Sequence, residues 1–251
     1  MGKRTYRKGN IMNYREKLYS TYVSTHTYHL YGEASIAEIE RQFPVWRRYY
    51  GRFLPQYKSA TILDIGCGNG GFVYFLQNSG LKNAMGVDVS KEQVEFAHKI
   101  GIESVVHADL KEFLSGQVEA YEVIFARDII EHLTKDEILE VLETVYKALK
   151  TDGLFVVQAP NGESLFSGRL RYGDFTHEMV FTRSGLNQIL KATGYRDIGF
   201  YPTGPVPKGF KSTVRYLLWK GIEVMLRFYM LVETGSSDGI FTQNIIAVAK
   251  K

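Results

Sequence analysis

The feature that most constrains this chain is a regular alternation between residues 61 and 160. Five short apolar runs occur at 61–65 (TILDI), 84–89 (AMGVDV), 103–108 (ESVVHA), 121–127 (YEVIFAR) and 154–160 (LFVVQAP). Between them lie stretches of helical periodicity at 71–79, 91–100, 110–115 and 135–149. Strands that are apolar on both sides need covering on both sides, and amphipathic helices between them supply the cover. The pattern therefore predicts an α/β domain with a mostly parallel sheet and helices on both faces. In the helix at 135–149, Ile138, Leu142, Val145 and Leu149 share one face. Acidic residues open it, Lys147 and Lys150 close it, and Gly153 reads as its stop.

A further helical pattern at 182–194 precedes two more strands, 195–202 and 241–251. No helix follows the last, so it is expected to enter the sheet antiparallel beside its predecessor. The organisation read from this is an N-terminal helical cap at 1–58 and a main domain at 59–251. That domain carries insertions at about 161–181 and 203–239, the second holding a helix before the last strand.

Charge is distributed unevenly: net +7 over 1–58, −7 over 59–204 and +4 over 205–251. Basic ends attract phosphate-rich partners, among them nucleotide-sugars, lipid headgroups and RNA, although a solvated mixed surface has the same composition. The lone cysteine, Cys67, forms no internal disulfide, and the first residues have no apolar core of a secretory signal. A cytoplasmic location is the expectation.

The chemistry begins where the first strand ends. Asp64-Ile65-Gly66-Cys67-Gly68-Asn69-Gly70-Gly71 joins strand to helix with almost no side-chain bulk. Such a turn brings backbone N–H groups and a helix N-terminus against a ligand. Asp88 closes the second strand, where a carboxylate can accept both hydroxyls of a ribose. Gly66, Gly68 and Gly71 also satisfy G-x-G-x-x-G, which keeps a nicotinamide-dependent dehydrogenase in view. Asp64, two residues before the first glycine, is placed to meet an ammonium group, which a nicotinamide dinucleotide lacks and S-adenosylmethionine carries. Asp109, after the third strand, is placed to accept from an adenine amino group.

On these motifs the sequence resembles the class I S-adenosylmethionine-dependent methyltransferases. ILDIGCGNGG is similar to their first motif, GVDVS to their ribose-binding turn and HADLKEF to their adenine-binding segment. YEVIFARDIIEHL and LKTDGLFVVQAPN resemble their fourth-strand and following motifs. The resemblance implies a Rossmann-like seven-stranded sheet with an antiparallel last strand, and S-adenosylmethionine as cofactor. It implies that Asp64, Gly66 and Gly68 hold the methionine portion, with Asn69 and Gly70 lining its approach. Asp88 binds ribose, Val89 packs on adenine, Asp109 and Leu110 meet the adenine edge, and the Arg127 carbonyl lies under the methionine end. Core packing is the competing reading of Val89 and Leu110.

The sulfonium is already electrophilic, so the protein's part is orientation and, for a hydroxyl acceptor, proton removal. Two histidine segments compete for that part. In Asp128-Ile129-Ile130-Glu131-His132, His132 shapes the site around the cofactor. A similar segment in ubiquinone-pathway O-methyltransferases is linked to a divalent metal, although no metal ligand is assigned here. In 172–178 (YGDFTHE), His177 is read as the base, oriented by Asp174 or Glu178, with a purely lid-pinning histidine as the alternative. The D-x-THE pattern followed by ATGY resembles methyltransferases of bacterial polysaccharide and glycan assembly.

The flanks bear on the acceptor. Residues 14–57 include Tyr14, Tyr19, Tyr22, Tyr28, Tyr31, Tyr49, Tyr50 and Tyr57, with a helix near 34–50 disturbed at Pro44. These aromatics, with Arg47, Arg48 and His29, can face a sugar or phosphate, or simply pack the cap. Segment 212–232 has a wide apolar surface with Lys220, Glu223 and Arg227 on a narrow polar face. It reads as a membrane-surface helix, a lid or a dimer contact rather than a span.

The expectation is an O-methyltransferase acting on a small-molecule or lipid-linked saccharide, with peripheral membrane contact and no nucleic-acid partner. The alternatives are O-methylation of a polyprenylated phenol and a cofactor-binding regulator without turnover.

Overall fold

The structure, a computed structural model, describes residues 14–19 and 35–251. The chain forms two compact units, Met1–Ala34 and Ser35–Lys251. Of the first, only the six-residue helix α1 (Tyr14–Tyr19) is described. Tyr22, Tyr28, Tyr31 and His29 lie outside the described residues, and of Tyr19 only the backbone is described.

The second unit opens with α2 (Ile36–Tyr50), started by a reciprocal capping box between Ser35 and Glu38. The helix runs through Pro44 without interruption. Then come β1 (Ile62–Ile65), α3 (Gly71–Asn78), β2 (Ala84–Asp88), α4 (Lys91–Lys99), β3 (Val105–His107) and α5 (Leu110–Leu114). They are followed by β4 (Tyr121–Arg127), α6 (Lys135–Ala148), β5 (Leu149–Pro160), α7 (Ser167–Gly173), α8 (Arg183–Ala192), β6 (Arg196–Pro202), α9 (Phe210–Thr234) and β7 (Asn244–Lys250). The seven strands form one sheet in the order β3-β2-β1-β4-β5-β7-β6. β7 is antiparallel to both β5 and β6, and the remaining pairings are parallel.

Alternate side chains of each central strand feed opposite cores. Val123 and Phe125 of β4 pack with Tyr50, Phe72 and Phe75 of α2 and α3. Ile124 and Ala126 face the other way, onto Ile138, Leu142 and Val145 of α6 and Leu186 and Leu190 of α8. This two-sided burial is what the continuous apolar runs require. Residues 35–58 pack into the same unit as the sheet, with Tyr50 buried against Phe72 and Phe125.

Two local readings are corrected. Gly153 does not stop α6: the helix ends at Ala148, Leu149 is already extended, and Gly153 lies inside β5. A Cβ there would come within 2.8 Å of the Lys150 carbonyl oxygen, so glycine serves a close approach at the strand's start. The 161–181 insertion also contains a short helix, α7, which its sequence does not announce because no side chain caps it.

Candidate active site

Strand order reverses between β1 and β4, the place where sheets of this kind take ligands at the carboxyl ends of their strands. The β1–α3 turn lines it. Gly66, Gly68 and Gly70 have φ of +64°, +54° and +71°, a left-handed backbone that strains any other residue. A Cβ at Gly70 would lie 2.6 Å from Val105 Cγ2, whereas at Gly68 it would meet nothing nearer than Gln93 at 4.0 Å. Gly70 is therefore demanded by packing, while Gly68 leaves open space beside the turn. The Asn69 side chain accepts from the Gly71 N–H at 3.1 Å, steadying the start of α3.

Asp88 ties this turn to β2. Its carboxylate accepts from Gly68 N at 2.7 Å and Ser90 N at 2.8 Å. Burial pushes its pKa up, and these two backbone donors pull it back. Further lone pairs remain for a diol. Next to it, Val89 is 57% exposed, so core packing is not its role. Leu110 is half-buried against the sheet's core cluster. The exposed Asp109 carboxylate caps α5, accepting from Lys111 N and Glu112 N through Oδ1.

Asp64 is 1% exposed, and its Oδ1 has no hydrogen-bond partner. Burial lifts its pKa to about 7, with Arg127 opposing the shift and Asp88 and Asp128 adding to it. An orphaned buried carboxylate oxygen beside a glycine turn is the acceptor that an ammonium group would satisfy. The Arg127 side chain, whose backbone alone the sequence singled out, is the larger surprise. Its guanidinium lies over Phe72 at 4.2 Å, Trp46 at 5.3 Å and Tyr50 at 5.6 Å, a cation among aromatic faces. Tyr50 Oη donates to Gln158 Oε1 at 2.7 Å, and Gln158 Nε2 donates to both Asp128 oxygens at 3.0 and 2.8 Å. Asn244 Nδ2 reaches Asp128 Oδ1 at 3.4 Å. Asp128 itself has φ +55°, so the chain turns sharply as it leaves β4. Gln158 was not singled out as a site residue, and Tyr50 was named only among the tyrosines of 14–57. The available signal was a lone glutamine in the otherwise apolar run LFVVQAP.

The two histidine segments meet. The His132 and His177 rings stand edge to face with centroids 4.7 Å apart. Thr176 Oγ1 donates to Asp174 Oδ1 at 2.6 Å, so it accepts from His132 Nδ1 at 2.8 Å. The Asp174 side chain thus bears on His132 through Thr176. What holds the His177 ring is the Leu170 carbonyl, 2.8 Å from Nδ1. A carbonyl only accepts, so Nδ1 carries the proton, and the neutral ring presents a lone pair at Nε2. Arg171 bonds the His177 carbonyl and fixes the backbone. Glu131 is 1% exposed with Oε2 unpartnered, and burial pushes its carboxyl well up, with Asp128 and Asp174 adding to the shift. One donor atom from each of Glu131, His132 and His177 lies within 4.8 Å of the others. Two imidazoles and a carboxylate suit a divalent cation as well as they suit proton transfer. Asp128, third member of the metal-linked segment, is engaged by Gln158 and Asn244.

Residues 39–198, well over half of the chain, match the methyltransferase domain family. The chain belongs to this family: it is an enzyme, and its cofactor is S-adenosylmethionine. Over 110 residues it is 33% identical to the tRNA U34 carboxymethyltransferase of Helicobacter pylori, covering 40% of each chain. Over 109 residues it is 29% identical to the ubiquinone biosynthesis O-methyltransferase of Chelativorans, covering 42% of each. The matched stretch spans less than half the length of these curated relatives. A SAM-dependent methyltransferase from Archaeoglobus fulgidus shares the fold, with a TM-score of 0.62 and 24% identity, over 83% of this chain and 94% of that one.

Proposed function

We propose that the chain transfers the methyl group of S-adenosylmethionine to a sugar hydroxyl of a saccharide, free or lipid-linked, in polysaccharide or glycolipid assembly. The observation that carries this reading is the His177 ring. It sits on the segment following β5, at the sheet edge where the glycine turn lies, with Nδ1 held by the Leu170 carbonyl, and in this reading Nε2 serves as the base. Asp64 would take the cofactor's ammonium group, Asp88 its ribose diol, Val89 one face of its adenine and Asp109 the adenine amino group. When bound, the cofactor supplies an electrophilic methyl group. The protein aligns the acceptor oxygen and removes its proton as the bond forms, and such a base contributes roughly 10²–10⁴-fold. His132, steadied through Thr176 and Asp174, packs against His177 and limits its rotation. Support for a sugar acceptor comes from the D-x-THE segment and from Arg47, Arg48 and Tyr49 near the same edge.

A second reading, O-methylation of a polyprenylated phenol, is favoured by one observation: Glu131, His132 and His177 converge as a cation would require. Transfer of labelled methyl into envelope extracts, split into aqueous and organic fractions, separates the two. The sugar reading expects label in a saccharide-containing product, lost in His177→Ala and unaffected by a chelator. Chelator-sensitive label in a lipid-soluble phenol would replace it with the second reading. Absence of any transfer with cofactor binding intact would overturn both.

A further inference from the structure

α9 keeps most of its apolar surface exposed. It spans 25 residues, about 37 Å, and none of its residues is buried. A helix on a protein surface ordinarily turns its apolar stripe inward. Here the side turned toward the protein is narrow and mixed: Ser212, Tyr216, Trp219, Glu223, Leu226, Arg227 and Met230, all half-buried. Arg227 is committed to the Ser237 and Gly239 carbonyls and to Glu223. The outward side, an arc of roughly 180°, carries Phe210, Val214, Leu217, Val224, Phe228 and Val232, with Leu217 62% and Phe228 67% exposed. Basic Lys211 and Arg215 flank one border of this arc, with Glu233 beside them at the helix end, and Lys220, paired with Glu223 at 2.6 Å, flanks the other. Among the described residues nothing covers it, and no helix is long and apolar enough to cross a membrane.

A basic cleft adjoins the helix. About 360 Å³ in volume, it is lined by Arg47 and Arg48 at the end of α2, by Arg52 just after it, and by Tyr216, Trp219, Lys220 and Glu223 of α9. Tyr49 Oη bonds the Gly204 carbonyl at 2.6 Å and holds the two walls together. The cleft opens where β6 ends and β7 begins, so it shares the sheet edge on which the cofactor turn and His177 lie. From that edge also rise Leu165, Phe166, Tyr172 and Phe175, each more than half exposed.

We infer that α9 and this cleft form a docking surface for an anionic phospholipid bilayer. The apolar arc enters the headgroup–acyl boundary, and Arg47, Arg48, Lys211 and Arg215 meet lipid phosphates. Charge complementarity selects this occupant: an apolar arc bordered by cations on both sides matches the layering of an acidic lipid surface. Docked this way, the chain presents its catalytic edge to molecules anchored in the bilayer. The inference deepens the proposed lipid-linked acceptor and rests on that reading only there, because bilayer binding is measured without methyl transfer.

The experiment is flotation of the full chain with vesicles of phosphatidylcholine alone and with phosphatidylglycerol added. The wild type should float with the anionic vesicles and much less with the neutral ones. Leu217→Ser with Phe228→Ser should lower partitioning by at least about tenfold, and Arg47→Glu with Arg48→Glu should remove the preference for anionic lipid. Melting temperature, measured in parallel, should be unchanged in both variants, which separates lost docking from lost folding. A chain that ignores anionic vesicles overturns the inference. So does a stable dimer in solution that Leu217→Ser with Phe228→Ser converts to monomer, since the arc would then cover a second copy. Protection of the arc by residues 1–34, seen as vesicle binding only after their removal, would overturn it as well.

Discussion

Asp64 shows how one side chain can be unfavourable for folding and suited to a cationic ligand. Its carboxyl is out of water with one oxygen unpartnered, and its pKa rises to about 7. Between its ordinary value of 3.8 and about 7, the folded chain keeps a proton that the unfolded chain releases. Stability from this group therefore falls as pH rises through that window and levels off above it. Binding a cation has the opposite sense, because the charged carboxylate is the better partner. Calorimetry at pH 6 and pH 8 should show cofactor affinity rising with pH in the wild type. In Asp64→Asn that rise should be lost and affinity should be lower, while the empty protein melts at the same or a higher temperature at pH 8. Asp64 stood out in the sequence as a candidate site residue because it lies two positions before the glycine turn. The Arg127 guanidinium did not, because its aromatic surroundings come from Trp46, Tyr50 and Phe72, which only the folded chain brings together.

At the scale of elements, the sheet and its helices were readable because period and burial agree. Runs apolar on both faces became the central strands, and the face of α6 carrying Ile138, Leu142 and Val145 is buried as its spacing required. Local signals misled where tertiary contacts decide: Gly153 resembled a helix stop, yet its lack of a side chain answers to the Lys150 and Glu122 carbonyls. The two glycines of the cofactor turn allow a sharper test. Gly68→Ala adds left-handed strain alone, about 1–2 kcal/mol. Gly70→Ala adds that strain and a collision with Val105, an overpacking cost of about 1–3 kcal/mol more. Urea unfolding should rank Gly70→Ala as clearly the less stable. Equal losses would mean that the turn relaxes freely. The histidine pair was half legible. Each segment was visible by itself, but their meeting depends on Glu178 N bonding the Glu131 carbonyl at 2.7 Å, which draws the post-β5 segment onto the post-β4 turn.

At the scale of the molecule, sequence located the apolar helix but not its direction, since a wide apolar surface fits burial and exposure equally well. The structure leaves the wide apolar arc outward and a narrow mixed side inward, and a stability prediction follows. Because Leu217 and Phe228 project outward, Leu217→Ser with Phe228→Ser should change unfolding free energy by no more than about 0.5 kcal/mol per site. A loss of several kcal/mol would show that the arc is part of a core. The whole arrangement, with the glycine turn, the carboxylates and the histidines at one sheet edge, stands or falls with the cofactor pocket. The most direct measurement is titration calorimetry of S-adenosylmethionine into the wild type and Asp88→Ala, with melting temperature followed because Asp88 also holds the Gly68 N–H. The account predicts measurable binding by the wild type and at least about a tenfold loss in the variant, the scale of charge-assisted hydrogen bonds to a diol. Affinity equal in the two proteins, with both folded, would contradict it.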